Sequence, residues 1–219
     1  AAGNVTNSPT DLNNYAGEVS SLIQQAAQLL NTKDPATGQY LFGGTNSGQP
    51  PYAVTTDANG NVTGVTYQGN ASVNQTEIAP GVTIAVDVPG ENTSGSGAYG
   101  VVTDSRTGAD LFNHFIALQN DLSSGNTSAI TSTDAPNLQN DQNNLTYQVA
   151  NNGNVQARLN TASTLATSQA NSLNGLISNE SGADLVQVLT QLTQTQTAYQ
   201  AALQSSASIM QLSLLNYLS

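Results

Sequence analysis

From Ala135 onward the apolar residues of this chain recur at a spacing that few folds accommodate. Ala135-Pro136 marks a helix start. Leu138, Leu145, Leu159, Ala166 and Leu173 then fall on a seven-residue lattice, joined by Val149, Ala170 and Ile177, with Asn152 interrupting the stripe. Asn179 to Gly182 reads as a break, after which Leu185, Leu189, Leu192, Tyr199, Leu203 and Met210 line one seam. Two heptad-patterned helices joined by a short turn predict an antiparallel coiled-coil hairpin. At 1.5 Å per residue the stretch from Pro136 to Asn179 alone would reach roughly 60 Å, more than a compact domain of this size spans. The expected fold class is therefore α+β: an elongated antiparallel helical coiled-coil rod carrying a small inserted all-β domain.

Coiled coils usually set register with charged flanks, yet here those positions hold Gln, Asn, Ser and Thr. Only 8% of the 219 residues are charged, whereas Asn, Gln, Ser and Thr together number 93. Neutral flanks suit helices crowded by neighbours on several sides, where an unpaired charge would be costly. The last ten residues extend the point, because Met210, Leu212, Leu214, Leu215, Tyr217 and Leu218 surround the helix instead of lining one side. A helix apolar all round has to be buried by something, and no other segment is apolar enough to sheathe it, so the expected cover is other subunits.

Toward the N-terminus, Ser8-Pro9-Thr10-Asp11 has the form of a capped helix start. Leu12, Tyr15, Val19, Leu22, Ile23, Ala26, Leu29 and Leu30 follow at helical spacing, and Asp34-Pro35 with Gly38 stops the helix near Thr32. Between Tyr40 and about Asp104 the character changes. Val62, Val65, Tyr67, Val82, Ile84, Val86 and Val88 alternate with period two, the mark of half-buried strands. Asn59-Gly60 between Tyr52 to Thr55 and Val62 to Tyr67 predicts a hairpin, and Glu91 to Gly97 reads as a loop. Helical spacing returns with Leu111, Phe112, Phe115, Ile116, Leu118 and Leu122, closed by Ser123-Ser124-Gly125. The domain division that follows is 1–38 with 105–219 as the helical domain and its C-terminal assembly helix, and 39–104 as the inserted outer domain.

Charge and residue inventory exclude several functions. Lys33, Arg106 and Arg158 are the only strong bases against 14 carboxylates, a net charge of -11 that repels nucleic-acid phosphates and anionic membranes alike. With no cysteine there is no thiolate nucleophile and no cysteine metal site. His114, the single histidine, lies between Phe112 and Phe115 and reads as a partly packed surface residue. Asp57-x-Asn59-x-Asn61 opens like a calcium loop but has Val62 where glycine is needed and Gln68 where a bidentate glutamate is needed, which leaves a hairpin turn. Asp87, Glu91 and Asp104 flank the strands without the aromatic platform a glycosidase uses. The glycine-rich stretch Gly38 to Gly48 is followed by no Gly-Lys-Ser/Thr. No catalytic, cofactor or metal residue is assigned.

Asp34-Pro35-Ala36-Thr37-Gly38-Gln39-Tyr40-Leu41-Phe42-Gly43-Gly44-Thr45, followed by Pro50-Pro51-Tyr52, resembles the block of the flagellar hook-filament junction proteins, also called hook-associated protein 3, within the flagellin family. Gly38, Tyr40, Leu41, Phe42, Gly43, Gly44 and Thr45 carry the motif. A second block agrees: Val155 to Leu159 with Asn160, Asn179-Glu180-Ser181-Gly182-Ala183-Asp184-Leu185, and the ending Leu212-Ser213-Leu214-Leu215-Asn216-Tyr217-Leu218. Flagellins generally lack the Tyr-Leu-Phe block. The resemblance runs from about Leu12 to Ser219, and the family's longer N-terminal helical segment is expected to precede Ala1 in the natural protein.

The resemblance implies a non-enzymatic structural component of the bacterial flagellum, outside the cell at the hook-filament junction and exported by the flagellar type III route. Its implied partners are copies of itself, the hook-side junction protein, filament flagellin and an export chaperone on the C-terminal helix. The implied assembly interface comprises Leu185, Leu189, Leu192, Tyr199, Leu203, Met210, Leu212, Leu214, Leu215 and Leu218. The alternative is a flagellin or flagellin-like cell-surface protein whose strand domain binds a polysaccharide or host surface.

Overall fold

The computed structural model describes residues 8–85 and 87–217, excepting the side chains of 183, 184 and 209–217. Expectations for Val86, for the side chains of Met210, Leu212, Leu214 and Leu215, and for Leu218 lie outside the described residues. The chain divides into two units, Ala1–Asn160 and Thr161–Ser219.

The first unit opens with α1, Pro9–Leu30. Ser8 Oγ accepts from the Asp11 backbone N–H while the Asp11 carboxylate accepts from that of Ser8, a reciprocal capping box that satisfies two otherwise orphaned donors. Leu12, Ala16, Val19, Ile23, Ala27 and Leu30 form its buried stripe, in steps of three and four. Leu22 and Leu29, expected on that stripe, point to solvent; the small Ala16 and Ala27 face the core instead, where close packing leaves room for methyl groups.

Strands β1, Tyr52–Thr56, and β2, Val62–Tyr67, make the expected antiparallel hairpin with Tyr52 opposite Tyr67. Asp57 Oδ1 accepts from the backbone N–H of Asn59 and of Asn61, so the calcium-like spacing builds an Asx turn. A second hairpin pairs β3, Gln75–Ala79, with β4, Val82–Ala85. The stretch expected to be a loop contains β5, Glu91–Asn92, paired in parallel with β6, Thr103–Asp104, which pairs antiparallel with β7, Ala109–Asp110. Buried Asn92 accounts for the difference: its Nδ2 donates to the carbonyls of Ser96 and Ala98 and its Oδ1 accepts from Ser94 N and Oγ. A polar side chain thereby closes the loop from within and leaves the backbone ahead of it free to pair.

Helix α2, Leu111–Ser124, ends at Gly125 in the left-handed conformation, as the sequence predicts. It packs antiparallel to α1, with Leu12 against Gly125. Phe112 and Leu122 of α2 meet Ile23 of α1, Tyr52 of β1 and Val62 of β2 in one core, and Tyr52 stacks tilted on Tyr67 and Phe112 at 5.2 and 5.1 Å between centroids. Val62 is held from both helices: its N–H donates to Ser20 Oγ and its C=O accepts from Gln119 Nε2. A short α3, Thr127–Ala129, and a π-helical turn, Ile130–Asp134, lead into α4, Ala135–Tyr217.

The break expected at Asn179 to Gly182 is absent, because α4 continues through these residues, and with it goes the turn of the predicted helical hairpin. A lone mid-helix glycine costs about 1 kcal/mol relative to alanine. The neighbouring residues include no proline, and that penalty alone does not stop a helix. The α+β class holds, with long helices and small β-sheets inserted between them.

Candidate assembly interface

Within the second unit, Leu185, Leu189, Leu192, Tyr199 and Leu203 are 51–66% exposed. Leu185, Leu192 and Tyr199 are seven residues apart, as are Leu189, Gln196 and Leu203, so all six lie on one face of the helix. Thr190, Thr193, Thr195 and Thr197 turn their hydroxyls back to the carbonyl four residues earlier. This internal bonding removes their need for water and makes the helix surface compatible with close packing. A leucine seam without cover in its own unit has the patterning of a helix-packing surface.

In the first unit the motif Gly38 to Thr45 builds a tightly folded turn. Gly38 and Gly44 both have positive φ. A Cβ on Gly44 would collide with the Asn70 carbonyl oxygen, so glycine is required there twice over. Thr45 N donates to Ser72 O and to Asn70 Oδ1, Phe42 packs against the shared core, and Tyr67 Oη donates to Phe42 O and Asn70 O. Tyr40 bridges to Lys33, whose ammonium lies 4.8 Å from the ring centroid; Leu41 is exposed. The motif thus joins the end of α1 to the β1–β2 hairpin.

The periodicity gave no signal for how the root of α4 is held. Asp141, Asn144 and Gln148 are buried at steps of three and four, a polar stripe where apolar residues are the usual choice. Asn144 Nδ2 donates to the carbonyls of Gly100 and Val101, and Gln148 Nε2 donates to that of Gly100. His114 Nδ1 stands 2.9 Å from Asp141 Oδ2, while Asp141 Oδ1 accepts from the Asp110 N–H. His114 is therefore tied to a buried carboxylate. The same amides that look like surface polarity in the sequence are the mortar of this joint.

Beside it, burial and the charge of Asp110 push the Glu91 carboxyl up to about 7. Asp104, although buried, is held below the usual carboxylate range by hydrogen bonds from Arg106 and the Gly100 N–H. Arg106 lies over the Tyr99 ring, 3.6 Å from its centroid. A groove of about 890 Å³ on the first unit is bordered by Phe42, Ile84, Val88, Tyr99, Tyr147 and Leu159. Its walls are mainly aliphatic and aromatic. Among the described residues no group of acidic, histidine or cysteine side chains is arranged to hold a metal ion, and no helix is long and apolar enough to cross a membrane.

Long helices with small sheets inserted between them are a fold also found in a solved flagellar hook-associated protein. The putative flagellar hook-associated protein from Vibrio parahaemolyticus matches with a TM-score of 0.57 at 18% identity, over 84% of this chain and 73% of that one; it shows the fold. Hook-associated protein 3 of Legionella pneumophila is 28% identical over 41% of this chain with a TM-score of 0.35, and Xanthomonas campestris FlgL is 35% identical over 41% with a TM-score of 0.33. These two matches span about a quarter of their structures, 25% and 27%. No family model and no curated protein matches the chain.

Proposed function

We propose that this chain is a structural component of the bacterial flagellum, an adaptor at the hook-filament junction that works by helix packing and catalyses no reaction. The observation that carries the proposal is the seam Leu185, Leu189, Leu192, Tyr199 and Leu203, exposed within its own unit. Burying a leucine contributes about 1.5–3 kcal/mol, so covering the seam in an assembly supplies a large driving force. The Tyr40-Leu41-Phe42-Gly43-Gly44-Thr45 block and the fold shared with the Vibrio protein support the same reading. In it, copies of the chain, the hook-side junction protein and filament flagellin bury the seam, and residues 39–104 form the outward-facing insertion. Before assembly an export chaperone covers the C-terminal helix, including Met210, Leu212, Leu214, Leu215 and Leu218, on the type III route to the cell exterior.

The test is genetic. Deleting the gene from its flagellated source should leave hooks without filaments, and Leu189→Asp with Leu192→Asp in the otherwise intact gene should reproduce that phenotype while the protein is still made. Normal filaments in the deletion strain would refute the junction role, and normal filaments in the double mutant would refute the role of the seam.

A further inference from the structure

We infer that Asn59, at the tip of the β1–β2 hairpin, is a site of spontaneous deamidation, converting to aspartate and isoaspartate while the other Asn-Gly pairs of the chain, Asn152-Gly153 and Asn174-Gly175, stay intact. The chemistry needs solvent water alone. The Gly60 backbone nitrogen gives up its proton and attacks Cγ of Asn59. A new N–Cγ bond forms, the Cγ–Nδ2 bond breaks, and ammonia leaves with that proton, closing a five-membered imide. Water then opens the ring at either of its carbonyls. Addition at Cγ restores the ordinary main chain with aspartate at 59, whereas addition at the Asn59 main-chain carbonyl leaves the chain running through the β-carboxyl as isoaspartate. No oxidation or reduction is involved, since one amide and one water become one acid and one ammonia.

All three asparagines are exposed, so accessibility does not rank them; the backbone does. Asn152-Gly153 and Asn174-Gly175 lie inside α4. There the glycine nitrogen donates to the carbonyl four residues earlier, and the dihedrals that would swing it onto the side-chain carbon are fixed by the turns on either side. Asn152 is held further, its Oδ1 accepting from Gln156 Nε2 at 2.7 Å. At the hairpin tip the restraints are fewer. Gly60 N–H donates to Asp57 O at 3.1 Å, a bond on an exposed loop of the kind that opens at little cost. Among the described residues Asn59 is hydrogen-bonded through its N–H, to Asp57 Oδ1, and its side-chain amide is left to turn. Gly60 has φ of 87° and open space where a Cβ would stand, so no side chain crowds the approach of its nitrogen. The product disturbs the tip and spares the strands. Asp57 Oδ1 also accepts from the Asn61 N–H, and Gln24 Nε2 of α1 donates to Gly60 O. Isoaspartate adds a methylene to the main chain between these partners, and either product sets a new carboxylate near Asp57, so both contacts loosen. Val62, whose N–H donates to Ser20 Oγ in the core, stays in place.

Ageing the full folded chain in mildly alkaline buffer, followed by peptide mapping with mass spectrometry and enzymatic detection of isoaspartate, tests this directly. Conversion at Asn59 should run on the order of tenfold faster than at Asn152 and Asn174, a factor equivalent to about 1.4 kcal/mol of extra opening cost in the helix. Isoaspartate should appear alongside aspartate. In denaturant, where no helix restrains the glycine nitrogens, the three rates should converge. Asn59→Gln, whose longer side chain closes the corresponding ring far more slowly, should abolish the amide-to-acid mass shift in the peptide that spans the hairpin tip. Equal rates at the three sites in the folded chain, a ratio unchanged by denaturant, aspartate without isoaspartate, or a mass shift that survives Asn59→Gln would each overturn the inference.

Discussion

Glu91 shows how one side chain is set by the fold around it. Its folded pKa of about 7 lies above the ordinary 4.5, so between those values the folded chain holds a proton that the unfolded chain has released. Stability therefore falls as pH rises through that window. Glu91→Gln should stabilise the protein above pH 7 by on the order of 3 kcal/mol, converting 2.5 pKa units at 1.36 kcal/mol each, and should leave stability near pH 4 unchanged. Denaturant melts at pH 4 and pH 8 measure both; an equal effect at the two values would contradict the assignment. Gly44 belongs to the same scale. With φ of 63° and the Asn70 carbonyl where a Cβ would stand, Gly44→Ala should cost at least about 1–3 kcal/mol, read as a fall in thermal midpoint.

At the scale of the element, α4 is attached by hydrogen bonds to backbone carbonyls and not by a greasy stripe. Asn144→Leu keeps the branched shape but strips Val101 O of the Asn144 donor and Gly100 O of one of its two, Gln148 Nε2 being the other, and a buried acceptor left without its donor costs about 1–3 kcal/mol. The substitution should release the root of α4 while the hairpin and α1 stay folded. Exchange protection lost in 135–150 but kept in α1 is the expected result. Helices α1 and α2 present the contrary case, where Ser8, Leu12, Ile23, Leu122 and Gly125 each do what their local sequence predicts.

Across the whole molecule the core and the seam should separate cleanly under mutation. Ile23 is fully buried, and Ile23→Ala should destabilise the free chain by about 2–5 kcal/mol. Leu192→Ala, at an exposed position, should shift the free chain by less than about 0.5 kcal/mol yet, on the proposed junction role, lower the number of hooks that carry a filament. Urea titration gives the first comparison and a count of filaments on complemented cells the second. Equal destabilisation by both would mean that the seam is already buried in the monomer.

Sequence alone determined what depends on neighbours a few residues away: the capped start of α1, the Asn59-Gly60 hairpin, the Gly125 stop, the helical character from Ala135 onward and the leucine seam. These are local because capping, turn conformation and helical periodicity act within one or two turns of chain. Tertiary structure decided what depends on distant partners. Asn92, Asp141, Asn144 and Gln148 are indistinguishable in the sequence from the many surface amides and acids, and only the fold makes them buried. The passage of α4 through Gly182 went against the pattern, which predicted a break there, because a glycine's weak penalty is settled by the helix on either side. For Asn144 and Gln148 the reason is that a polar side chain carries no mark of its burial until a carbonyl more than forty residues away arrives to receive its hydrogen bond, and for Asp141 it is that the Asp110 N–H it accepts from lies 31 residues earlier.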